Sequence, residues 1–253
     1  MIKFFRKIRK NLLSEGKTGK PAWTAGRYFK YAIGEIVLVV IGILIAVSIN
    51  NWNEARKESV LEIKILKSLE LDLDENTQRI KRMMSSDSIL LSRNKILIQL
   101  LKEDQSSYHD SLRIYFGNIN TYFTFFPQVM AYESLKSEGV NLIKNDSLRF
   151  SIIKLFDDDY EINAHATEIK KDMAMNANPF LSKQFEIIIL DNGWQGGIPN
   201  DYESLKGNTE LINTISQFSS TKSSFLSFSK RIYENTKSTK GLITDEINKL
   251  ENK

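Results

Sequence analysis

The sequence predicts an all-α fold: an N-terminal single transmembrane helix continuing into a long stalk helix, then an extracytoplasmic helical bundle with one irregular aromatic-rich connector. Three observations predict it. Tyr31 to Ile49, YAIGEIVLVVIGILIAVSI, runs nineteen residues with one charge, Glu35. No Gly or Pro occurs from Ile43 to Phe116, and the 253 residues hold only four prolines and twelve glycines, a composition that favours long helices over a many-turned β architecture. The apolar residues beyond the span recur in steps of three and four, as stripes and not as runs.

A helix rises about 1.5 Å per residue, so roughly 20 residues cross a hydrocarbon core of about 30 Å. A helix apolar on every face suits lipid better than the surface of a soluble domain. The chain therefore divides into a basic cytoplasmic tail (1–30), a transmembrane helix (31–52) and a helical periplasmic domain (53–253). Residues 1–30 carry nine Lys/Arg and one acid, Glu15, or +8; with +4 for the whole chain, the remainder is −4. Nucleic acid is thus an unsuitable partner for the main domain. The absence of cysteine excludes disulfides, Cys-zinc sites and thiol catalysis.

Met1 to Leu13 reads as a basic amphipathic helix: Ile2, Phe5, Ile8 and Leu12 share a face, and Lys3, Arg6, Lys7, Arg9 and Lys10 fill the rest. Such a helix lies in the headgroup layer, with the lipid bilayer as its partner. Ser14 to Gly26 is a loop, and Trp23, Tyr28 and Tyr31 stand where interfacial aromatics belong. Positive charge ahead of the span places the N-terminus in the cytoplasm. The localisation expected for a bacterium is the inner membrane, with the C-terminal domain in the periplasm. A cleaved signal peptide is the rival reading, with Ala46-Val47-Ser48 as its site. The thirty-residue leader and the unbroken stretch from Ile36 to Ile49 argue for a retained anchor.

Beyond the span, Leu66, Leu69, Leu73, Ile80, Met84, Leu91, Ile98 and Leu101 mark a stalk helix to about Glu103. Thr77, Asp87 and Asn94 interrupt its stripe, and Ser85 to Ser88 is a place for a break. A short helix (Tyr108 to Phe116) precedes the connector GNINTYFTFFP. Gln128 to Glu138 is helical and stops at Gly139, a natural C′ residue. Asn145 or Asp146 caps a helix to about Asn178. Pro179 begins another, FLSKQFEIIIL, ended by the loop DNGWQGGIPND. Asn208 caps a short helix to Phe218, and the last runs from about Ser223 to Leu250 with a bend at Gly241.

The run YFKYAIGEIVLVVIGILIAVSINNWNE (28–54), the opening MIKFFRKIRKNLLSE and the segment AYESLKSEGVNLIKNDSLR (131–149) resemble a family of uncharacterised single-pass inner-membrane proteins of Bacteroidota, a domain of unknown function. The resemblance spans most of residues 1–175. It implies a helical extracytoplasmic region on one anchor, and it transfers no activity, ligand or catalytic residue.

Four groups of residues are candidates. Glu35, a carboxylate inside the span, with Gly42 and Ala46, forms a candidate membrane helix contact. Tyr122, Phe123, Phe125 and Phe126 are a candidate partner or ligand surface, with core packing as the competing role. Asp157, Asp158 and Asp159 with Glu161, His165 and Glu168 lack the spacing of a carboxylate-bridged metal site and read as a solvated acidic face. His109 and His165 show no triad-like arrangement. YESLK occurs at 132–136 and again at 202–206, each followed by Leu-Ile, an echo without functional weight. No catalytic residue, metal or cofactor is expected. The function expected is that of a non-enzymatic, membrane-anchored protein that binds or scaffolds another membrane or periplasmic protein or a second copy of itself. A periplasmic small-ligand sensor is the alternative.

Overall fold

The structure is a computed structural model that describes residues 24–103 and 105–252, with the backbone alone at 24–28, 30 and 31. The predicted amphipathic segment Met1–Leu13, most of the loop after it and Trp23 lie outside the described residues. Among the described residues the fold is all-α apart from one short hairpin. Its elements are α1 (Thr24–Lys102), α2 (Arg113–Gly117), α3 (Met130–Glu138), α4 (Asp146–Ile153), α5 (Tyr160–Gln184), β1 (Phe185–Ile189), β2 (Gln195–Pro199), α6 (Tyr202–Leu205) and α7 (Thr209–Glu251).

The chain divides into two compact units, residues 1–57 and 58–253. In the first, every side chain from Ala32 to Trp52 is exposed, and this part of α1 is long and apolar enough to cross a membrane. In the second, α1 contributes a seam of buried positions: Glu62, Leu66, Leu69, Leu73, Asn76, Ile80, Met83, Asp87, Leu90, Asn94, Leu97 and Leu101. The steps alternate four and three, the heptad rule of packed helices, and Ile65 is buried beside the seam. Helix α1 continues unbroken through Ser85–Ser88, contrary to the break expected there. Over its second half the seam lies one residue earlier than expected, because Met83, Leu90 and Leu97 are buried whereas Met84, Leu91 and Ile98 are half-buried.

Helix α7 runs antiparallel to α1: Lys240 reaches Asp74 at 2.5 Å, Lys67 reaches Glu251 at 2.6 Å, and Thr244 donates to Glu70 between them. It is one helix from Thr209 to Glu251, so the expected division near Phe218 is absent. Two apolar cores form along these helices. One gathers Leu66, Leu73, Ile80, Tyr132, Phe156, Tyr160 and Ile243; the other gathers Leu97, Leu101, Phe116, Leu181, Phe185, Tyr202 and Ile215. Along α1, α5 and α7 alike, the residues between the two sets include buried polar groups: Asp87 and Asn94, Asn163 and Lys170, Lys222 and Ser229.

The echo at 132–136 and 202–206 is a repeated local build, one copy in each core. Tyr132 and Leu135 enter the first core, Tyr202 and Leu205 the second. Lys136 and Lys206 each lie over their own tyrosine ring and pair with Glu133 and Glu203. Each copy then turns at a glycine of positive φ, Gly139 or Gly207, and leads to an asparagine cap, Asn145 or Asn208.

Helices α4 and α5 join through a π-helical stretch, Lys154–Asp159, that buries Leu155, Phe156 and Asp159. Helix α5 continues through Pro179 to Gln184. The expected helix over FEIIIL is instead β1, paired antiparallel with β2 from Phe185↔Pro199 to Ile189↔Gln195. A short β-branched run beside a Gly-rich segment satisfies its peptide groups across a hairpin. Gly117 and Gly196 let the hairpin sit against α2: a Cβ on Gly117 would stand 2.4 Å from the Gly196 Cα.

Candidate functional site

The connector after α2 forms no regular element, yet it passes between the helices with several of its peptide groups paired to side chains. Asn94 Nδ2 donates to the Ile119 carbonyl at 3.1 Å, and Lys222 Nζ donates to the same oxygen at 2.9 Å. Asp87 Oδ1 accepts from the Phe123 N–H at 3.0 Å, while Lys170 Nζ donates to the Phe123 carbonyl at 3.1 Å and to Asp87 Oδ2 at 3.2 Å. Asn163 donates to the Phe125 carbonyl, and Arg79 donates to that of Phe126. Asn76 holds both groups of Gln128, accepting from its N–H at 2.6 Å and donating to its carbonyl at 3.0 Å. A buried peptide group without a partner costs free energy. Asn76, Asp87 and Asn94 of the α1 seam are thus the partners of this chain segment and do not interrupt the packing.

Burial holds the Lys222 ammonium down at about 8, with Asp87 opposing and Lys170 reinforcing the shift. Lys222 and Lys170 also lie over the Phe218 and Phe225 rings. Near them is a cavity of about 10 Å³, lined by Asn120, Tyr122, Met173 and Thr221 among others. It has room for about one water.

A larger cleft opens on the other side of the connector. It measures about 340 Å³ and is walled by Arg79, Arg82, Met83 and Ser86 of α1 and by Phe123 to Phe126. Arg79 and Arg82 share one carboxylate, Glu75, at 2.9 and 3.3 Å. The Arg79 hydrogen bond holds the Glu75 carboxyl below its usual range. Phe126 is 68% exposed at the cleft.

The expected aromatic surface is therefore split. Phe125 is buried in a core, edge-on to Tyr160 at 5.4 Å. Phe123 is half-buried against Trp194, Tyr122 borders the small cavity, and Phe126 stands in the open. Glu35, Gly42 and Ala46 lie on one face of α1, seven and four residues apart, and all are exposed. A Cβ on Gly42 would meet nothing within 4 Å.

The acidic run is only partly a solvated face. Asp157 and Asp158 are exposed, Asp157 while accepting from the Tyr132 hydroxyl at 2.7 Å, but Asp159 is buried and accepts from Asn235. His109 Nδ1 lies 2.5 Å from Ser111 Oγ, an exposed contact between near neighbours at a helix start. His165 is exposed, 3.9 Å from Glu161.

Asn76, Arg79, Arg82, Lys170 and Lys222 carry the site and were not sequence candidates. Counting the heptad through polar positions finds Asn76, Asp87 and Asn94, since the alternation of four and three holds only if they are included. No curated protein and no solved structure matches the chain. Residues 35–193, more than half of the chain, match a family of unknown function (DUF6090), and the chain belongs to that family.

Proposed function

We propose that this chain is a non-enzymatic, membrane-anchored binding protein. Residues 31–52 hold it in a bacterial inner membrane with the N-terminus cytoplasmic, and the periplasmic domain engages another envelope protein. One observation carries the binding role: the open cleft of about 340 Å³ between α1 and the connector, with the exposed Phe126 at its edge. Its size is in the range of about 300–1,000 Å³ usual for binding clefts, and an aromatic lip beside guanidinium groups suits protein recognition. The fully exposed apolar stretch of α1 supports the anchor, and the +8 tail supports the orientation.

The test is photocrosslinking in native membranes, with a benzophenone amino acid at Phe126 and, as control, at Phe150, which is equally exposed away from the cleft. A defined adduct from position 126 and none from position 150 is expected. Equal labelling at both positions, or none, overturns the binding role. A reporter active only after export, fused behind Lys253, should be active; activity restricted to a cytoplasmic reporter overturns the orientation.

A further inference from the structure

We infer that the cleft binds an extended peptide bearing an acidic residue, by strand pairing to the connector at Thr124. The inference rests on the binding role proposed above and names the chemistry of its partner. The connector alternates its peptide groups. Phe123 turns both its N–H and its C=O toward Asp87 and Lys170, and Phe125 turns its C=O toward Asn163. In extended chain the intervening residue points its groups the opposite way. Phe126 does so, since its carbonyl accepts from Arg79 on the cleft side. Thr124 borders the same cleft, and among the described residues its N–H and C=O have no hydrogen-bond partner.

One edge of this segment is thus consumed by buried side chains, and the other presents a main-chain donor and acceptor to an open groove. An unpaired edge of this kind is a template for an incoming strand. Pro127 follows the Arg79-bound carbonyl and has no N–H, which limits the edge to a short length around Thr124.

Charge selects the side chain. Arg79 and Arg82 share the single carboxylate of Glu75, which leaves the wall with a net positive charge, and Arg82 is 65% exposed. A guanidinium with spare donors recognises a carboxylate in two-pronged fashion. Phe126, 68% exposed, supplies apolar contact at the edge of the cleft. An acidic residue flanked by small β-prone residues meets all three features.

The probe is a fluorescein-labelled nonapeptide of alternating Thr and Val with a central Glu. Its counterparts carry central Gln or Lys, or an N-methylated peptide bond next to the Glu. Binding to the full chain in detergent is read by fluorescence anisotropy. The Glu peptide should bind at least tenfold tighter than the Lys peptide, and N-methylation should reduce its affinity by a similar factor. Arg82→Gln, an exposed change, should remove the preference for Glu over Gln while leaving the circular dichroism unaltered. Equal affinity for the Glu and Lys peptides, or indifference to N-methylation, overturns the inference. Displacement of the Glu peptide by free glutarate at equal concentration also overturns it, because the cleft would then recognise a lone carboxylate without the strand. If the Phe126 crosslink forms while the peptides show no selectivity, the binding role stands and the acidic-strand inference falls. If neither is seen, both fall.

Discussion

Lys222 is a cation placed where water barely reaches, 4% exposed, and its burial has a consequence for stability. Its folded pKa is depressed to about 8, whereas an unfolded lysine keeps its proton to about 10.4. Between those values the unfolded chain binds a proton that the folded chain has released, so stability rises with pH across that window. The destabilising contribution is fully present below pH 8. At about 1.4 kcal/mol per pKa unit, the gain is on the order of 3 kcal/mol. The neutral amine still donates to the Ile119 carbonyl, so the bond that holds the connector survives. Burial raises the Tyr132 and Tyr160 hydroxyls, and unfolded tyrosines ionise near about 10, so stability falls again above that pH. Urea unfolding measured from pH 7 to 11 should therefore climb and then drop. Lys222→Met should remove the climb and keep the drop. The same climb in that variant would assign it to another group.

At the scale of elements, α2 and the β1–β2 hairpin approach each other closely through their backbones. A Cβ on Gly117 would meet the Gly196 Cα at 2.4 Å and the Gln195 carbonyl oxygen at 2.5 Å, both main-chain atoms with no rotamer to change. Gly117→Ala must therefore push the hairpin away. Overpacking of this kind costs about 1–3 kcal/mol. Limited proteolysis should cut the loop at residues 190–194 faster, while helical content is retained; unchanged cleavage would show that the contact yields without strain. The hairpin was also the element least legible in the sequence. FEIII is a short apolar run, where periodicity does not separate strand from helix. Helix ends were legible where a residue type has one local job: Gly139 adopts φ 96°, and Asn145 and Asn208 accept from the third N–H beyond them. The α1 seam was half legible. Met83-Met84, Leu90-Leu91 and Leu97-Ile98 offer two adjacent apolar stripes, and only Asn76, Asp87 and Asn94 distinguish them. The partners of those three lie 25 to 52 residues along the chain, in a connector with no period to read. The candidate cleft was legible to the extent that its aromatic wall was named; its two arginines look in sequence like any exposed helix positions.

For the whole molecule, the division into two units makes a direct statement about what folds by itself. Both apolar cores, with the half-buried residues packed against them, draw on residues from Leu61 onward. The polar side chains that pair with the connector, from Asn76 to Lys222, also belong to the second unit. By contrast, the apolar side chains from Ile33 to Ile49 are exposed throughout, a patch far larger than a soluble monomer tolerates. Residues 58–253 produced alone should therefore be soluble without detergent, elute as a single species and show a helical circular dichroism spectrum. Their urea transition should be cooperative, because the two cores are joined through the buried Asp87–Lys170 pair and the connector it holds. The full chain should need detergent or lipid to stay in solution. If residues 58–253 instead aggregate, or keep helical signal without a cooperative transition, the first 57 residues supply contacts that the domain needs, and the anchor is part of the fold as well as its tether. Asp87→Ala provides the internal check on the joint. It strands the Lys170 ammonium and the Phe123 N–H in a dry layer, a loss of about 3–5 kcal/mol for a broken buried pair. If the polar layer couples the cores, the variant should unfold in one earlier transition; two separate transitions would mean that each core, with its own copy of the Tyr-Glu-Ser-Leu-Lys build, is a folding unit in its own right.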